Sequence, residues 1–156
     1  TLDAPDPSPT MVCDRRQIGQ ALTNVVKNAV EAVEARLGDS ATTERGAITL
    51  TLCQDVETGT TSIQVDDNGI GLPPERDRIV EPYMTTRSRG TGLGLAIVTK
   101  IVEEHFGTIT FNDRPGGGTR ALIVFDTATL DRLDEGEEGT APPPTPTPAS
   151  QNEEIR

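Results

Sequence analysis

The sequence predicts an α+β sandwich: a sheet, antiparallel or mixed, with helices on one face. Three observations carry this. Two segments, 14–37 and 93–105, repeat apolar residues at helical spacing. Two pairs of runs rich in β-branched residues, 47–54 with 62–67 and 108–113 with 119–126, read as strands joined by turns. Their order is helix, two strands, loops, helix, two strands.

The elements follow in turn. TLDAPDPSPT is rich in Pro and Asp and reads as an extended lead-in over 1–13. Ile18, Leu22, Val25, Ala29, Val33 and Leu37 then recur at helical spacing, with Val26 and Val30 widening the stripe. A long amphipathic helix is predicted from Asp14 to Leu37, with Gly38 as its stop. AITLTLCQ and SIQVDD flank the turn VETGTT and form a hairpin. NGIGLPPE breaks all regularity; a short helix over 75–80 is expected, then a loop through EPYMTTRSRGTG. Leu93, Ile97 and Ile101, with Val98 and Val102, mark a second helix to about His105, capped at Gly107. TITFND and TRALIVFD are two further strands joined by PGGG.

Composition bounds the rest. A chain of 156 residues supports one domain with its own core. Its apolar fraction of 33% is low, so part of the chain is expected to be unfolded. The acidic LDRLDEGEEG and the Pro/Thr-rich APPPTPTPAS place that part at 127–156. The folded unit is then 14–126. The formal net charge is −11; eight acids and two bases between Asp126 and Arg156 put −6 there and leave −5 elsewhere. Neither part has a basic patch, which argues against nucleic-acid binding. Cys13 and Cys53 show no metal spacing, which fits a reduced cytoplasmic setting. No signal peptide and no membrane-spanning run is present, so membrane contact by this chain is not expected, and the isolated domain is expected to be a monomer.

Three features carry chemistry. Gly90, Gly92 and Gly94 alternate with Thr91 and Leu93 and lead, through Leu95, directly into a helix. Glycines let a ligand approach the backbone, and a helix start offers unpaired N–H groups and partial positive charge. Together they suit a phosphate; a hinge or a tight loop–helix junction is the plainer alternative. The spacing fits neither the dinucleotide fingerprint nor the P-loop. In VDDNGIG a strand ends in two aspartates beside glycines. A carboxylate there can accept a hydrogen bond from an exocyclic amine such as that of adenine, although Asp-Asn-Gly also makes an ordinary turn. Asn24 and Asn28 share a helix face away from the apolar stripe. Asparagine costs roughly 0.5–0.7 kcal/mol in a helix interior relative to alanine. Its amide oxygen is a hard ligand for Mg²⁺; a solvated face with Lys27 and Glu31 is the alternative.

In sequence, NVVKNAVEA, DNGIG, EPYMTTR and GTGLGLAIV resemble the catalytic ATP-binding domain of bacterial sensor histidine kinases. These belong to the GHKL ATPase group with gyrase and MutL, and the details are most similar to nitrogen-regulation, NtrY-like kinases. The resemblance spans roughly Asp14 to Phe125. It implies a two-layer α/β sandwich, the Bergerat fold, with a mixed sheet of about five strands against three helices. It also implies ATP and Mg²⁺ as ligands. Asn28 would hold the metal, with Asn24 beside it. Asp67 would take the adenine amine, with Gly69 and Gly71 lining the base. Tyr83, Thr86 and Arg87 would belong to the loop before and in a short lid, Arg87 meeting the phosphates. Gly90, Thr91, Gly92, Leu93, Gly94 and Leu95 would form the phosphate side. Thr119 would flank the base from its strand. Asn28 and Arg87 would carry the catalytic roles.

The implied reaction moves the γ-phosphoryl of ATP to a histidine on a separate dimerisation domain, with a response regulator downstream. His105, the only histidine, sits near a helix end and is expected to be structural. The acceptor is therefore expected in another part of a larger protein, one that could be membrane-anchored. The departures are the IVFD end of the last strand, where the family commonly has proline, and the acidic tail. The rival readings are a degenerate module that signals by conformation or through its tail, and a serine kinase of the anti-sigma type.

Overall fold

The computed structural model describes residues 1–38, 45–74 and 93–138. Helix α1, Arg15–Gly38, begins directly after Asp14. The Asp14 Oδ1 atom accepts the N–H groups of Arg16 (2.9 Å) and Gln17 (3.0 Å). An acidic residue there satisfies two orphan amides and complements the helix dipole. The helix buries Ile18, Ala21, Val25, Ala29, Ala32 and Val33. This differs from the expected stripe: Val30 and Leu37 are exposed, while Ala21 and Ala32 are inside. Alanine adds little to a hydrophobic pattern, but it allows close backbone approach, and α1 uses that below.

The strands β2, Ile48–Asp55, and β3, Thr60–Asp67, pair antiparallel over their whole length. In the turn between them, Asp55 Oδ1 accepts the N–H groups of Glu57 and Thr58. Those bonds hold the Asp55 carboxyl below its ordinary range. A second hairpin joins β4, Gly107–Asp113, to β5, Thr119–Asp126. Between them the expected PGGG turn has Gly116, Gly117 and Gly118 at φ of +87°, +99° and +98°.

The lead-in contributes a fifth strand, β1, Leu2–Asp3, parallel to β2 with Leu2 opposite Leu50. The sheet order is β1-β2-β3-β5-β4, and the single parallel pairing makes it mixed, as expected. Helix α2, Gly94–Glu104, lies with α1 on one face. Strict alternation along β3 and β5 sends Ile63, Val65, Ala121, Ile123 and Phe125 toward Val25, Ala29, Val98, Ile101 and Val102. Burying these side chains against two helices is the main stabilising term, at roughly 1.5–3 kcal/mol for each large one.

Two expectations need correction. Gly107 is not the left-handed cap of α2; Phe106 takes that conformation, at φ +54°. Gly107 instead starts β4, where a Cβ would lie 2.8 Å from Phe125 Cδ1 and 2.9 Å from Val102 Cγ1. Its smallness serves packing rather than capping.

The second correction concerns 127–156, expected to be wholly unfolded. Thr127–Glu138 form a helix, α3. Asp126 caps it: its Oδ1 accepts the Thr129 N–H (2.9 Å) and its Oδ2 accepts the Thr129 hydroxyl (2.8 Å). Leu130 is buried. Acidic composition masked a local signal, an Asp followed three residues later by Thr and then a leucine. The Pro/Thr-rich stretch and the helix expected at 75–80 lie outside the described residues. Among those residues the three helices are α1, α2 and α3.

Candidate functional site

Asp67 ends β3 on the helix face and is only 4% exposed. The β3–β5 ladder stops one residue earlier, at Asp66 opposite Arg120. Beyond that rung the strands are joined by a side chain. The Thr119 N–H donates to Asp67 Oδ1 at 3.2 Å, and the Gly69 N–H donates to the same oxygen at 2.8 Å. Both bonds fall on Oδ1; Oδ2 accepts none from the described residues. Burial pushes the Asp67 carboxyl above its ordinary value, and the two amides pull it part of the way back. A buried carboxylate with one oxygen fixed and the other open is a directed acceptor for an N–H donor.

The loop after Asp67 is gripped from two sides. Gly69 lies directly on α1, where a Cβ would come within 2.5 Å of the Ala32 carbonyl carbon. The Ile70 N–H donates to the Ala32 carbonyl at 3.1 Å. From the other side, a Cβ on Gly118 would overlap the Asp67 carbonyl oxygen. Gly71 sits at φ +81° and faces the Gly118 carbonyl. Asn68 fixes the entry to β2: its Nδ2 donates to the Arg45 carbonyl (2.9 Å) and its Oδ1 accepts the Ala47 N–H (2.8 Å).

This grip aligns the asparagines. Asn28 is one helical turn before Ala32, and Asn24 one turn before that, so both lie on the side of α1 that meets the Asp67 loop. Both are half-buried. Glu31 makes a 3.9 Å contact with Lys27, one helical turn back. At the other helix, Leu93 precedes α2 with no side-chain cap, and a Cβ on Gly94 would meet nothing within 4 Å. Among the described residues, then, nothing crowds the start of α2 at Gly94.

Of the residues expected at the site, Asp67, Gly69, Gly71 and Thr119 come together, with Asn28 and Asn24 along the adjoining face of α1. Leu93, Gly94 and Leu95 form the start of α2. Tyr83, Thr86, Arg87, Gly90, Thr91 and Gly92 lie outside the described residues. Thr119 acts through its main-chain N–H, which no side-chain motif reveals. Asn68, Ala32 and Gly118 were missed as supports. For Gly118 a signal existed, since the last of three glycines directly precedes the strand.

His105 is 7% exposed, with both ring nitrogens engaged. The Asp14 N–H donates to Nε2 at 3.1 Å, and Nδ1 lies 2.8 Å from the Ile101 carbonyl. An acceptor at one nitrogen and a donor at the other assign the neutral ring with its proton on Nδ1. The ring ties the end of α2 to the start of α1, a structural role. No described helix is long and apolar enough to cross a membrane.

Residues 13–129 match the family described as histidine kinase-, DNA gyrase B-, and HSP90-like ATPase. The chain is 51% identical over 105 residues to the nitrogen regulation protein NtrY of Azorhizobium caulinodans, covering 67% of this chain and 13% of that protein. Among solved structures it is similar to the catalytic domain of histidine kinase ThkA in a nucleotide-free form, with TM-score 0.65 and 30% identity over 81% of this chain and 76% of that one. It is also similar to full-length ShkA in complex with AMPPNP, with TM-score 0.62 and 28% identity over 80% of this chain and 24% of that one. The chain thus spans about an eighth of the length of that NtrY protein.

Proposed function

Because the chain belongs to the histidine kinase-, DNA gyrase B-, and HSP90-like ATPase family, we propose that it is the ATP-binding catalytic domain of a sensor histidine kinase. It transfers the γ-phosphoryl of ATP to a histidine on a dimerisation domain outside these residues, and a response regulator takes the phosphoryl onward. The nucleotide unit is 14–126, with α3 appended. The reaction belongs in the cytoplasm, where ATP is supplied.

The observation that carries the reading is Asp67, buried at a strand end with one oxygen pinned by Gly69 and Thr119. Its second oxygen accepts the exocyclic amine of adenine. Gly69 and Gly71 line the base; glycine at 69 lets their loop close on α1, and glycine at 71 takes its left-handed φ without strain. The donor set fits Mg²⁺: the amide oxygen of Asn28 is hard, half-buried and one turn from the Ala32–Gly69 contact, with Asn24 behind it. When bound, Mg²⁺ neutralises charge on the phosphate oxygens. The start of α2 turns a positive dipole end toward the same phosphates, with Gly94 and Leu95 in its first turn and Gly90, Thr91, Gly92 and Leu93 leading into it. Arg87 offsets charge on the γ-phosphate, and Thr86 and Tyr83 belong to the loop that covers the nucleotide. The attacking imidazole is a nucleophile when neutral, so the chain needs to supply position and charge rather than a strong base. His105 is not that nucleophile, since its nitrogens are buried and engaged.

The test supplies the missing partner. The chain is mixed with a histidine-bearing dimerisation domain of an NtrY-type kinase and Mg²⁺–ATP, and acid-labile phosphate on that domain is followed. The expected result is transfer that needs Mg²⁺ and is lost in Asn28→Ala. ATP binding with no transfer to the domain would point instead to a degenerate module.

A further inference from the structure

The sheet face turned away from the two helices α1 and α2 carries an ion pair. Arg120 Nε donates to Asp66 Oδ1 at 2.8 Å, and Arg120 Nη2 donates to Asp66 Oδ2 at 2.8 Å. Gln64 Nε2 adds a third bond to Oδ2 at 3.1 Å. The Asp66 side chain is 14% exposed, so this is a shielded, fork-to-fork pair rather than a loose surface contact. Its place in the ladder gives it meaning. Asp66 and Arg120 are the last rung between β3 and β5. Their chain neighbours, Asp67 and Thr119, are joined only by the Thr119 N–H on Asp67 Oδ1.

We propose that the Asp66–Arg120 pair is a positioning device for base recognition: from the outer face it clamps the strand ends so that Thr119 and Asp67 stay within bonding distance on the inner face. The proposal rests on the reading of Asp67 as the adenine acceptor. Strand ends separate first where the ladder stops, and the 3.2 Å Thr119 bond is the weaker of the two that orient the carboxylate. Two donors on Oδ1 fix the direction of Oδ2. With the Gly69 bond alone the carboxylate swings, and a purine with a 6-amino group loses its advantage over one with a 6-oxo group. Affinity for the triphosphate part comes from elsewhere and is spared. Lysine at 120 cannot reproduce the fork, because its ammonium is a point charge.

The experiment uses the full chain and its Arg120→Gln and Arg120→Lys variants. Titration calorimetry gives Kd for ATP and for inosine triphosphate, and amide exchange by NMR follows Thr119 and Gly69. The expected result for Arg120→Gln is a roughly tenfold fall in the ATP-to-inosine-triphosphate preference. The Thr119 amide exchanges faster and the Gly69 amide does not. Arg120→Lys recovers part of both effects. Asp66→Asn combined with Arg120→Gln is no worse than Arg120→Gln alone, because the pair acts as a unit. A lowered melting temperature with unchanged preference and unchanged Thr119 exchange would overturn the proposal and leave an ordinary cross-strand pair. A wild type that binds neither nucleotide sinks the reading of Asp67 instead, and Thr119 exchange then decides the clamp alone.

Discussion

Strand β3 is finished in opposite ways at its two ends. At its start, Gly59 is covered. Its carbonyl accepts both the Thr127 hydroxyl (2.8 Å) and the Ala128 N–H (3.0 Å), and a Cβ on it would lie 2.7 Å from Ala128 Cβ. At its end, Asp67 is buried yet keeps an oxygen uncommitted among the described residues. Both ends use a glycine in a left-handed conformation, Gly59 at +64° and Gly118 at +98°. One glycine lets helix α3 dock; the other lets a hairpin close on a carboxylate. The first arrangement pairs the Gly59 carbonyl with the Thr127 hydroxyl and the Ala128 N–H, which stabilises the fold. The second leaves a buried carboxylate short of partners, which costs stability and is the feature on which the proposed ligand site rests.

The difference can be broken by substitution. Gly118→Ala is expected to have the largest effect, since its Cβ overlaps the Asp67 carbonyl and φ is unfavourable. A loss of about 3–4 kcal/mol in urea unfolding is expected, with nucleotide binding abolished. Gly59→Ala meets only the Ala128 methyl group and a left-handed φ. It should cost about 1–2 kcal/mol and leave the Kd for ATP unchanged. Thr127→Val removes one of the two bonds to Gly59 and should cost about 1 kcal/mol, again with ATP binding intact. If either change at the α3 end weakened ATP binding tenfold, the two ends would not be independent.

Acid titration sharpens the contrast by sign. Burial raises the Asp67 carboxyl above its ordinary 3.8, so between 3.8 and its folded value the folded protein holds the extra proton. The contribution of Asp67 to stability therefore falls as pH rises through that window. Asp66 behaves oppositely: the Arg120 guanidinium holds its carboxyl down, so its contribution is present above 3.8 and is lost as pH falls below it. Asp67→Asn should remove the first slope and keep the second, read from unfolding curves across acid pH.

Much of this was legible in the sequence because periodicity is strong where burial is one-sided. The long helix, the second helix and four strands lie within about two residues of their expected ends. Asp67 and the two asparagines were legible because each is an unusual residue for its place. What was hidden depends on main-chain geometry or on contacts across the chain. The Thr119 amide carries no side-chain signature. Ala32 gained importance only because Gly69, far along the chain, rests on it. Helix α3 was lost to composition, since seven of the eight acids counted toward a tail follow Asp126, the residue that caps it. The Asp66–Arg120 pair required the strand register.

The central claim is that Asp67 is held for a ligand rather than for the fold, and Asp67→Asn tests it most directly. The amide oxygen can still accept from Gly69 and Thr119, but the group facing the pocket becomes an N–H donor set against the adenine amine. Unfolding stability and the Kd for Mg²⁺–ATP should be measured on the same preparations of wild type and variant. The account predicts a variant at least as stable as wild type near neutral pH, with ATP affinity reduced about a hundredfold. A variant that binds ATP like wild type, or one that loses binding only because it unfolds, would contradict it.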